Sequence, residues 1–463
     1  MKLKFGAIAA PLFFELGIGM AVGMLGTSFA AHISDAAGGA FALTTHLCGL
    51  LFMVFRLVGA GIGVVVSQNL GAQHRGEADL VARAALAAGT WMGGSMAVVA
   101  LLFAQPLLQA LNAPADVLAL ATPLLQALSL ALLLDAWNAC MASVMRAHLR
   151  TKETMWVMGV MHAVHVSLAW PLMHGLPSSL GITWLDIWSE NWSGYGLPGF
   201  AIALVISRVV GLYLHWYLWR RRLNIVPVAA DFWRVRMTQM KHILHIGLPG
   251  AAENLSWELA FMVSVAAVGL LGTQALATQA YVLQFNMWIL MSGAAIGMAV
   301  EMVVGHLVGA RKLRDAHVLV KRAQTIGLAV TTVVAVLMAW KGASLLRWFT
   351  DDPQILELGQ ELFWWSILLE TGRTFNLIVI SALRATGDSR YPFYAGAGSM
   401  AVVLAGGSWL LGVHWGWGLT GVWVAYAADE WIRGLMMWHR WVTRGWVPHA
   451  RATHARMRHQ VKT

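Results

Sequence analysis

The sequence predicts an all-α integral membrane protein with twelve transmembrane helices in two six-helix lobes. Only 12% of its 463 residues are charged, about half the share found in a soluble domain, and the mean hydropathy is +0.64. Apolar stretches of roughly 20 residues or more, enough to cross the hydrocarbon core, recur along the chain. The chain also repeats itself, because Pro11 and Glu15 correspond to Pro249 and Glu253 at one offset of 238 residues.

Twelve apolar stretches are predicted to be helices, because lipid offers no partner to an unpaired backbone group and the stretches are too long for barrel strands. In chain order they cover residues 6–31, 38–66, 84–111, 117–145, 153–175, 196–219, 243–270, 274–304, 317–342, 354–383, 391–413 and 417–440. The repeat divides them into an N-terminal lobe (1–220) and a C-terminal lobe (241–443), with a basic cytoplasmic linker (221–240) and a basic cytoplasmic tail (444–463). Because each copy holds an even number of helices, a pseudo-twofold axis along the membrane normal is predicted.

The ends of the helices support the repeat and show where the copies differ. Arg146, after the fourth helix, corresponds to Arg384 after the tenth, again at an offset of 238. Sixteen extra residues between the fifth and sixth helices carry Trp184, Trp188 and Trp192 at helical spacing. Tryptophan favours the membrane interface, so this stretch predicts a short helix at the outer surface, with a polar loop as the alternative.

Lysine and arginine predict the orientation. With Lys2 and Lys4 in the cytoplasm, most other basic residues fall in cytoplasmic segments, and Lys341 and Arg347 fall in outside loops. This bias predicts a multi-pass protein of the inner (plasma) membrane with both termini in the cytoplasm. The net charge of +10 then reflects membrane topology and not nucleic-acid binding. The basic tail is expected either to contact anionic membrane lipid or to be solvated.

Other classes of protein are disfavoured by what the sequence lacks. It has no GxxxxGK[ST] loop for ATP. Cys48 and Cys140 lie within predicted helices and give neither a disulfide framework nor a metal motif. His162 and His165 are the closest approach to a membrane-enzyme metal site, and they lack a third ligand in the sequence. We expect a protein that is not an enzyme, holds no metal or cofactor, and is a monomer.

Ionisable groups inside the predicted helices should carry the chemistry, because a charge in hydrocarbon must face a cavity or a partner. These groups are Glu15, Asp135, Glu253, Glu258, Glu301, Glu370, Asp429, Glu430, Arg56, Arg208, Arg373 and Arg433. A buried carboxyl group can serve either a proton or a cationic substrate but not both, which is a basis for exchange.

Glu15 and Glu253 are the first candidates for coupling, because they hold equivalent repeat positions four residues after Pro11 and Pro249. Proline frees a backbone carbonyl and permits a bend, so both prolines are predicted hinges. Neither glutamate has an obvious local arginine partner, so burial is expected to favour protonation of both. The alternative is that each glutamate forms a hydrogen bond across the lobes and only fixes their packing. Glu258, five residues after Glu253, faces elsewhere and is a further cavity candidate.

Five charged residues on the tenth and twelfth helices predict a network. Glu370 and Arg373 are three residues apart, and Asp429 and Glu430 reach Arg433 at four and three residues, so each set shares a helix face. Glu370 and Arg373 are also cavity candidates. A structural ion-pair cluster is favoured, and a relay that rearranges when a proton arrives is the alternative.

Taken together, the motifs resemble those of the multidrug and toxic compound extrusion (MATE) transporters over nearly the whole chain. They are residues 67–72 (SQNLGA), 305–310 (GHLVGA), 383–388 (LRATGD), 247–249 (GLP) with Glu253 and Asn254, 370–373 (ETGR) and 429–434 (DEWIRG). Their order and spacing look like one bacterial branch of that family. The resemblance implies two six-helix lobes around a central cavity, and export of organic, often cationic compounds in exchange for H⁺ or Na⁺.

One residue departs from the resemblance. Many family members carry an aspartate in the first helix where this chain has Gly26. A mechanism that uses this aspartate therefore cannot operate here. Glu258 lies near the acidic position that the family has in its seventh helix.

The sequence thus predicts a secondary antiporter for organic, cationic or amphipathic small molecules, with H⁺ favoured over Na⁺ as the coupling ion. A flippase for lipid-linked precursors is one alternative, although it would want a more basic cavity and additional helices. An integral-membrane enzyme is the second alternative, and it would need clustered histidines or paired acids at one interface.

Overall fold

The described part of the chain is helical throughout, as predicted. The computed structural model describes residues 5–111, 113–175 and 194–460, without the side chains of 53–58 and 458–460, and these ranges contain no β-strand. The predicted interfacial helix around Trp184 lies outside them. The long helices are α1 (Gly6–Ala31), α2 (Asp35–Gly71), α3 (Arg75–Leu102), α4 (Ala115–Ala147), α5 (Thr151–His174), α6 (Leu197–Leu223), α7 (Met237–Gly269), α8 (Thr273–Gly309), α9 (Leu313–Trp340), α10 (Pro353–Thr386), α11 (Arg390–His414) and α12 (Gly418–Val442).

The lengths and compositions of these helices suit a bilayer. Within the described residues, nine of the twelve are long and apolar enough to cross a membrane. The other three, α2, α7 and α12, are as long, and α12 carries Asp429, Glu430 and Arg433 near its middle. Helix α3 begins at Arg75 and not at residue 84, because its first turns are amphipathic and hydropathy alone does not detect them.

Contacts divide the chain into two compact units. The N-unit comprises Phe14–Val66 and Asp79–Ile243, and the C-unit comprises Ser67–Ala78, Leu244–Thr463 and the chain up to Phe13. The division inside α1 therefore falls between Pro11 and Glu15. Unlike the lobes expected from the repeat, the C-unit includes the first turns of α1 and the junction of α2 with α3.

The core of the N-unit combines small residues with a few large rings. Ala100, Ala121 and Ala203 are fully buried and let neighbouring helices approach closely. Phe41 of α2 and Phe200 of α6 fill space between the helices, with their ring centroids 4.7 Å apart in an edge-to-face arrangement. The same two rings lie beside Gly26 of α1, a position discussed with the candidate site below.

Helix α10 begins and ends on clear sequence signals. Asp352 Oδ1 accepts a hydrogen bond from the backbone N–H of Gln354 at 2.9 Å, and Pro353 occupies the first helical position. The helix stops at Gly387, whose φ of +92° is the left-handed conformation that glycine adopts without strain. The last turn before this stop carries Arg384.

The ends of α2 and α8 cross in close contact within the C-unit. A Cβ atom added to Gly71 would run into the backbone of His306, and one added to Gly309 would run into the carbonyl of Gln68. The two copies of the repeated motif therefore pack against each other. Glycine at this point of both copies permits the close approach.

The basic linker contains a short helix, Ala229–Trp233, that is tied to the N-unit. Asp231 is buried, and its carboxylate accepts hydrogen bonds from Arg83 of α3 at 3.0 Å and from Arg236 at 2.9 Å. These pairs fix one end of the linker against α3.

The basic tail is also helical, over Val447–Gln460. Trp446 is buried and stacks on Trp441 at the end of α12, with ring centroids 4.4 Å apart. Thr453 Oγ1 donates to the Thr386 carbonyl at 3.3 Å. This part of the tail is therefore packed against the C-unit and is not a solvated chain.

Candidate functional site

Two buried ion pairs occupy equivalent positions of the repeat. In the N-unit, Arg146 Nη1 at the end of α4 donates to Glu15 Oε1 of α1 at 2.6 Å. In the C-unit, Arg384 Nη2 at the end of α10 donates to Glu253 Oε2 of α7, also at 2.6 Å. Glu15 is 7% exposed and Glu253 is 5% exposed. Thr154 Oγ1 adds a hydrogen bond to Glu15 Oε2 at 3.2 Å.

The sequence shows no local arginine partner for either glutamate, and the structure supplies a distant one for each. Each arginine comes from another helix, 131 residues along the chain from its glutamate, so an inspection of neighbouring turns on one helix does not find it. Both glutamates have a charged hydrogen-bonding partner and are not isolated carboxyl groups. Their coupling role stays a prediction, as does the hinge role of Pro11 and Pro249, which lie inside α1 and α7.

Helices α10 and α12 hold a network of the five charged side chains predicted there. Arg373 Nη1 donates to Glu370 Oε1 at 2.8 Å, and its Nε donates to Glu430 Oε1 at 3.4 Å. Arg433 Nη2 lies 2.8 Å from both Asp429 Oδ2 and Glu430 Oε1. Three of these four pairs follow from helical spacing, and the Arg373–Glu430 pair joins the two helices.

Polar groups complete the network. Asn376 Nδ2 donates to Glu430 Oε2 at 2.9 Å, and Ser399 Oγ of α11 donates to Asp429 Oδ1 at 2.7 Å. Glu370 differs, because its Oε2 atom is buried and has no hydrogen-bond partner among the described residues. One of the three carboxyl groups is therefore only half satisfied.

The Glu253–Arg384 pair borders this network. A Cβ atom added to Gly396 would lie 3.6 Å from Glu253 Cγ and 3.9 Å from Arg433 Cδ, so one residue without a side chain separates the two groups. Glu258 stands apart from both: it is half-buried on α7 and forms no ion pair or hydrogen bond with the described residues.

A second, half-buried charged cluster lies in the N-unit, and the sequence did not predict its pairing. Asp135 of α4 forms an ion pair with Arg208 of α6. Asn138, one turn after Asp135, donates to the Arg208 carbonyl at 2.9 Å. His162 and His165 of α5 interact electrostatically with Arg208. In the sequence, the only indication of this cluster is that its charged residues lie within apolar helices.

The position of Gly26 is filled by aromatic rings. A Cβ atom added there would lie 2.9 Å from Phe41 Cζ and 3.0 Å from Phe200 Cε2. An aspartate would therefore require two rings to move. The packing therefore leaves no space for the carboxylate that the family resemblance would place at this position.

The described residues contain no group of three or more His, Cys, Asp or Glu side chains arranged to hold a metal ion. The pair His162 and His165 therefore gains no third ligand of these types within the described part.

Comparison with known proteins identifies the family of the chain. A model of the MatE family matches residues 11–170 and 249–410, one segment in each copy of the repeat. The uncharacterized transporter YisQ of Bacillus subtilis is 28% identical over 437 residues, which cover 94% of this chain and 93% of the relative. A probable multidrug resistance protein NorM of Bradyrhizobium diazoefficiens is 25% identical over 400 residues, covering 83% and 82%.

Solved structures share the fold. A MATE protein crystallised in the bent conformation aligns with a TM-score of 0.84 over 96% of both chains at 16% identity. A multidrug resistance MATE family transporter in the outward-facing conformation aligns with a TM-score of 0.84 over 97% of this chain and 96% of the other, also at 16% identity. These likenesses confirm the predicted twelve-helix, all-α membrane fold.

Proposed function

The chain belongs to the MATE family of membrane transporters, and from this premise we propose that it exports organic, cationic or amphipathic compounds in exchange for protons. Relatives named as probable multidrug resistance proteins support this substrate class. We also propose that it is a monomer of the inner (plasma) membrane with both termini in the cytoplasm. The distribution of lysine and arginine supports the orientation of the termini.

The network of α10 and α12 carries the proton part of the proposal. It contains three carboxyl groups, Glu370, Asp429 and Glu430, and two guanidinium groups, Arg373 and Arg433. With all five ionised, one negative charge lacks a counter-ion, which is costly in a medium of low dielectric constant. One bound proton removes this excess charge.

Within the network, Glu370 is the proposed proton acceptor. Its side chain is 0% exposed, one oxygen atom accepts from Arg373, and Oε2 has no partner among the described residues. Protonation converts Oε2 from an acceptor without a partner into a hydrogen-bond donor. This hydroxyl group can then form a hydrogen bond when Arg373 changes position. Arg373 bridges Glu370 and Glu430, so a change at Glu370 is transmitted from α10 to α12.

Glu258 is the proposed contact for a cationic substrate. It is a half-buried carboxyl group with no partner among the described residues, and it shares α7 with the paired Glu253. A carboxylate without a fixed counter-ion can accept either a proton or a cationic compound. Glu15 and Glu253 can join the exchange only if their arginine pairs open.

Reconstitution tests the coupling ion. The purified protein is placed in liposomes, and uptake of a cationic dye is measured with one gradient imposed at a time. We expect a proton gradient to drive uptake and a Na⁺ gradient at equal pH to drive none. Uptake that follows Na⁺ and ignores the proton gradient would contradict the proposal.

Glu370→Gln tests the acceptor. Glutamine imitates the protonated group but cannot release the proton, so proton-driven uptake should fall at least about tenfold, a barrier change of about 1.4 kcal/mol. Dye binding, measured by fluorescence polarisation, should persist. Glu357→Gln, at an exposed glutamate of the same helix, is the matched control and should transport like the native protein. Native transport by Glu370→Gln would remove Glu370 from the mechanism.

A further inference from the structure

The basic linker presents only positive charge on its surface. Residues 220–241 contain six basic residues and one acid, Asp231. The carboxylate of Asp231 is buried and accepts hydrogen bonds from Arg83, from Arg236 and from the backbone N–H of Val228. The one acid of the linker is therefore engaged inside the protein. Four arginines are exposed and form no ion pair with the described residues: Arg220, Arg221, Arg222 and Arg234.

Large apolar side chains are exposed beside these arginines. Five of them are between 41% and 63% exposed: Val226, Val228, Trp233, Val235 and Met237. The short helix Ala229–Trp233 turns a different side chain inward, because the ring of Phe232 packs edge to face on Trp137 of α4 with centroids 5.3 Å apart. Arginine interspersed with exposed apolar side chains is typical of a segment that lies in the membrane interface.

Trp91 of α3 shows the depth at which this segment lies. Its Nε1 atom donates a hydrogen bond to the backbone carbonyl of Trp233 at 3.1 Å, and both side chains are more than half exposed. Trp91 lies seven residues inside the apolar stretch that begins at residue 84, about 10 Å along the helix axis. Trp233 is therefore held at the boundary between lipid headgroups and acyl chains, where tryptophan is favoured.

We propose that Trp91, Trp233, Arg234 and Val235 form a binding surface, here called the linker surface, for an anionic phospholipid of the surrounding membrane. The guanidinium group of Arg234 pairs with the headgroup phosphate, and the two indole rings and Val235 pack against the upper acyl chains. A zwitterionic phospholipid carries the same phosphate, but the exposed arginines repel its ammonium group. A lipid with net negative charge is therefore favoured.

This inference rests on the membrane fold and not on which compound or ion is transported. The Asp231 pairs fix the linker to α3, and the lipid fixes its outer face to the bilayer. A soluble acidic partner would be attracted by the same arginines. Such a partner, however, gives no reason for exposed apolar side chains at the depth of Trp91.

Spin labels test the depth of the linker surface. Val235→Cys carries a nitroxide in the full-length protein in liposomes, with Cys48 and Cys140 replaced by alanine. We expect the label to collide more with oxygen, which concentrates in the bilayer, than with a water-soluble nickel chelate. Arg75→Cys, at an exposed position at the start of α3, is the control and should show the reverse. Equal access of the chelate to both labels would overturn the proposal, since the segment would then lie in water.

Native mass spectrometry tests the headgroup. The delipidated full-length protein in detergent is titrated with phosphatidylglycerol or phosphatidylcholine of the same acyl chains. We expect the native protein to prefer phosphatidylglycerol, and Arg234→Gln to bind it about fivefold more weakly, the effect of one basic residue near an anionic lipid surface. Arg234→Lys should keep most of the affinity. Arg75→Gln, at an exposed arginine outside the linker surface, is the matched control and should bind like the native protein.

Two results of the titration overturn the proposal: no preference for phosphatidylglycerol in the native protein, or the same affinity for it in Arg234→Gln. Glycerol phosphate is the probe for a soluble source of the phosphate. Displacement of phosphatidylglycerol by glycerol phosphate at similar concentration would show a site for a free anion and not for a lipid. None of these measurements involves transport, so their outcome is separate from that of dye uptake.

Discussion

Single residues in the two repeat-related ion pairs show how membrane helices hold a charge. Glu15 with Arg146 and Glu253 with Arg384 satisfy each other in a medium where either group alone would be costly. Removing one partner leaves the other buried and unpaired, so the loss exceeds the value of the contact itself. The arginine side chains keep 19% and 18% exposure, which reduces but does not remove this penalty.

Glu15→Gln should lower the free energy of unfolding by about 2 to 3 kcal/mol, because Arg146 loses its counter-ion. The double variant Glu15→Gln, Arg146→Gln should regain part of the loss, since no charge is then left unpaired. The measurement is the thermal unfolding midpoint in detergent. Glu153→Gln is the control: its pair with the exposed Arg150 should contribute no more than about 0.5 kcal/mol.

Glu253→Gln and its double variant with Arg384→Gln should behave in the same way, because the two pairs have the same geometry. Transport then separates coupling from packing. We expect folded Glu15→Gln and Glu253→Gln to lose gradient-driven uptake. Native uptake by both would leave the pairs a purely structural role.

The sequence predicts residues of the site where spacing on one helix is enough, and fails where two helices must meet. Glu370 and Arg373 share a face at three residues, and their pairing was predicted. The pairing of Glu15 with Arg146 was not, because it depends on how α1 and α4 are rotated about their axes. Both helices are apolar on most sides, so no polar face in the sequence sets that rotation.

At the scale of helices, glycine determines how closely two of them can cross. Gly71 and Gly309 lie where α2 and α8 meet, each with backbone of the other helix in the place of a side chain. A methyl group at either position must push the helices apart, and neighbouring contacts are lost with it. The sequence shows both glycines within a repeated motif, but only the packed structure shows that the two copies touch.

Gly71→Ala and Gly309→Ala should each destabilise the C-unit by about 1 to 3 kcal/mol through overpacking. Gly76→Ala is the control, since the space around Gly76 at the start of α3 is open. This control should be neutral or stabilising by about 0.5 to 1 kcal/mol, because alanine favours the helix. Thermal unfolding of the three variants measures the difference. Equal midpoints for all three would show that the crossing relaxes at no cost.

At the scale of the whole molecule, composition and the repeat predict the helix count, and the motifs resemble those of the family. The packing of the helices adds a grouping of helix ends that neither predicts. Long apolar stretches and one offset of 238 residues are properties of the chain alone. The division of contacts is not a property of the chain alone. Residues 67–78 belong to the C-unit because of the crossing at Gly71, and the start of α1 belongs to it because Phe5 and Ala9 pack against the hydrophobic core of that unit. The duplication of the sequence determines that there are two sets of six helices. The packing of side chains determines to which compact unit each helix end belongs.

The membrane topology gives the last prediction. Each copy of the repeat holds six helices, so both copies should enter the membrane from the same side. The starts of α3 and α9 should then face the cytoplasm, and the turns after α1 and α9 should face outward. Single cysteines test this in a background where Cys48 and Cys140 are replaced by alanine. Arg75→Cys and Arg314→Cys report the inner positions, and His32→Cys and Lys341→Cys the outer ones.

All four positions are exposed in the structure, so access depends on the membrane and not on burial. A membrane-impermeant maleimide should label the cysteines at 32 and 341 in intact cells. The cysteines at 75 and 314 should react only after permeabilisation. Labelling of Arg75→Cys and Arg314→Cys from opposite sides would refute the parallel orientation of the two copies, because an odd number of crossings would then separate them.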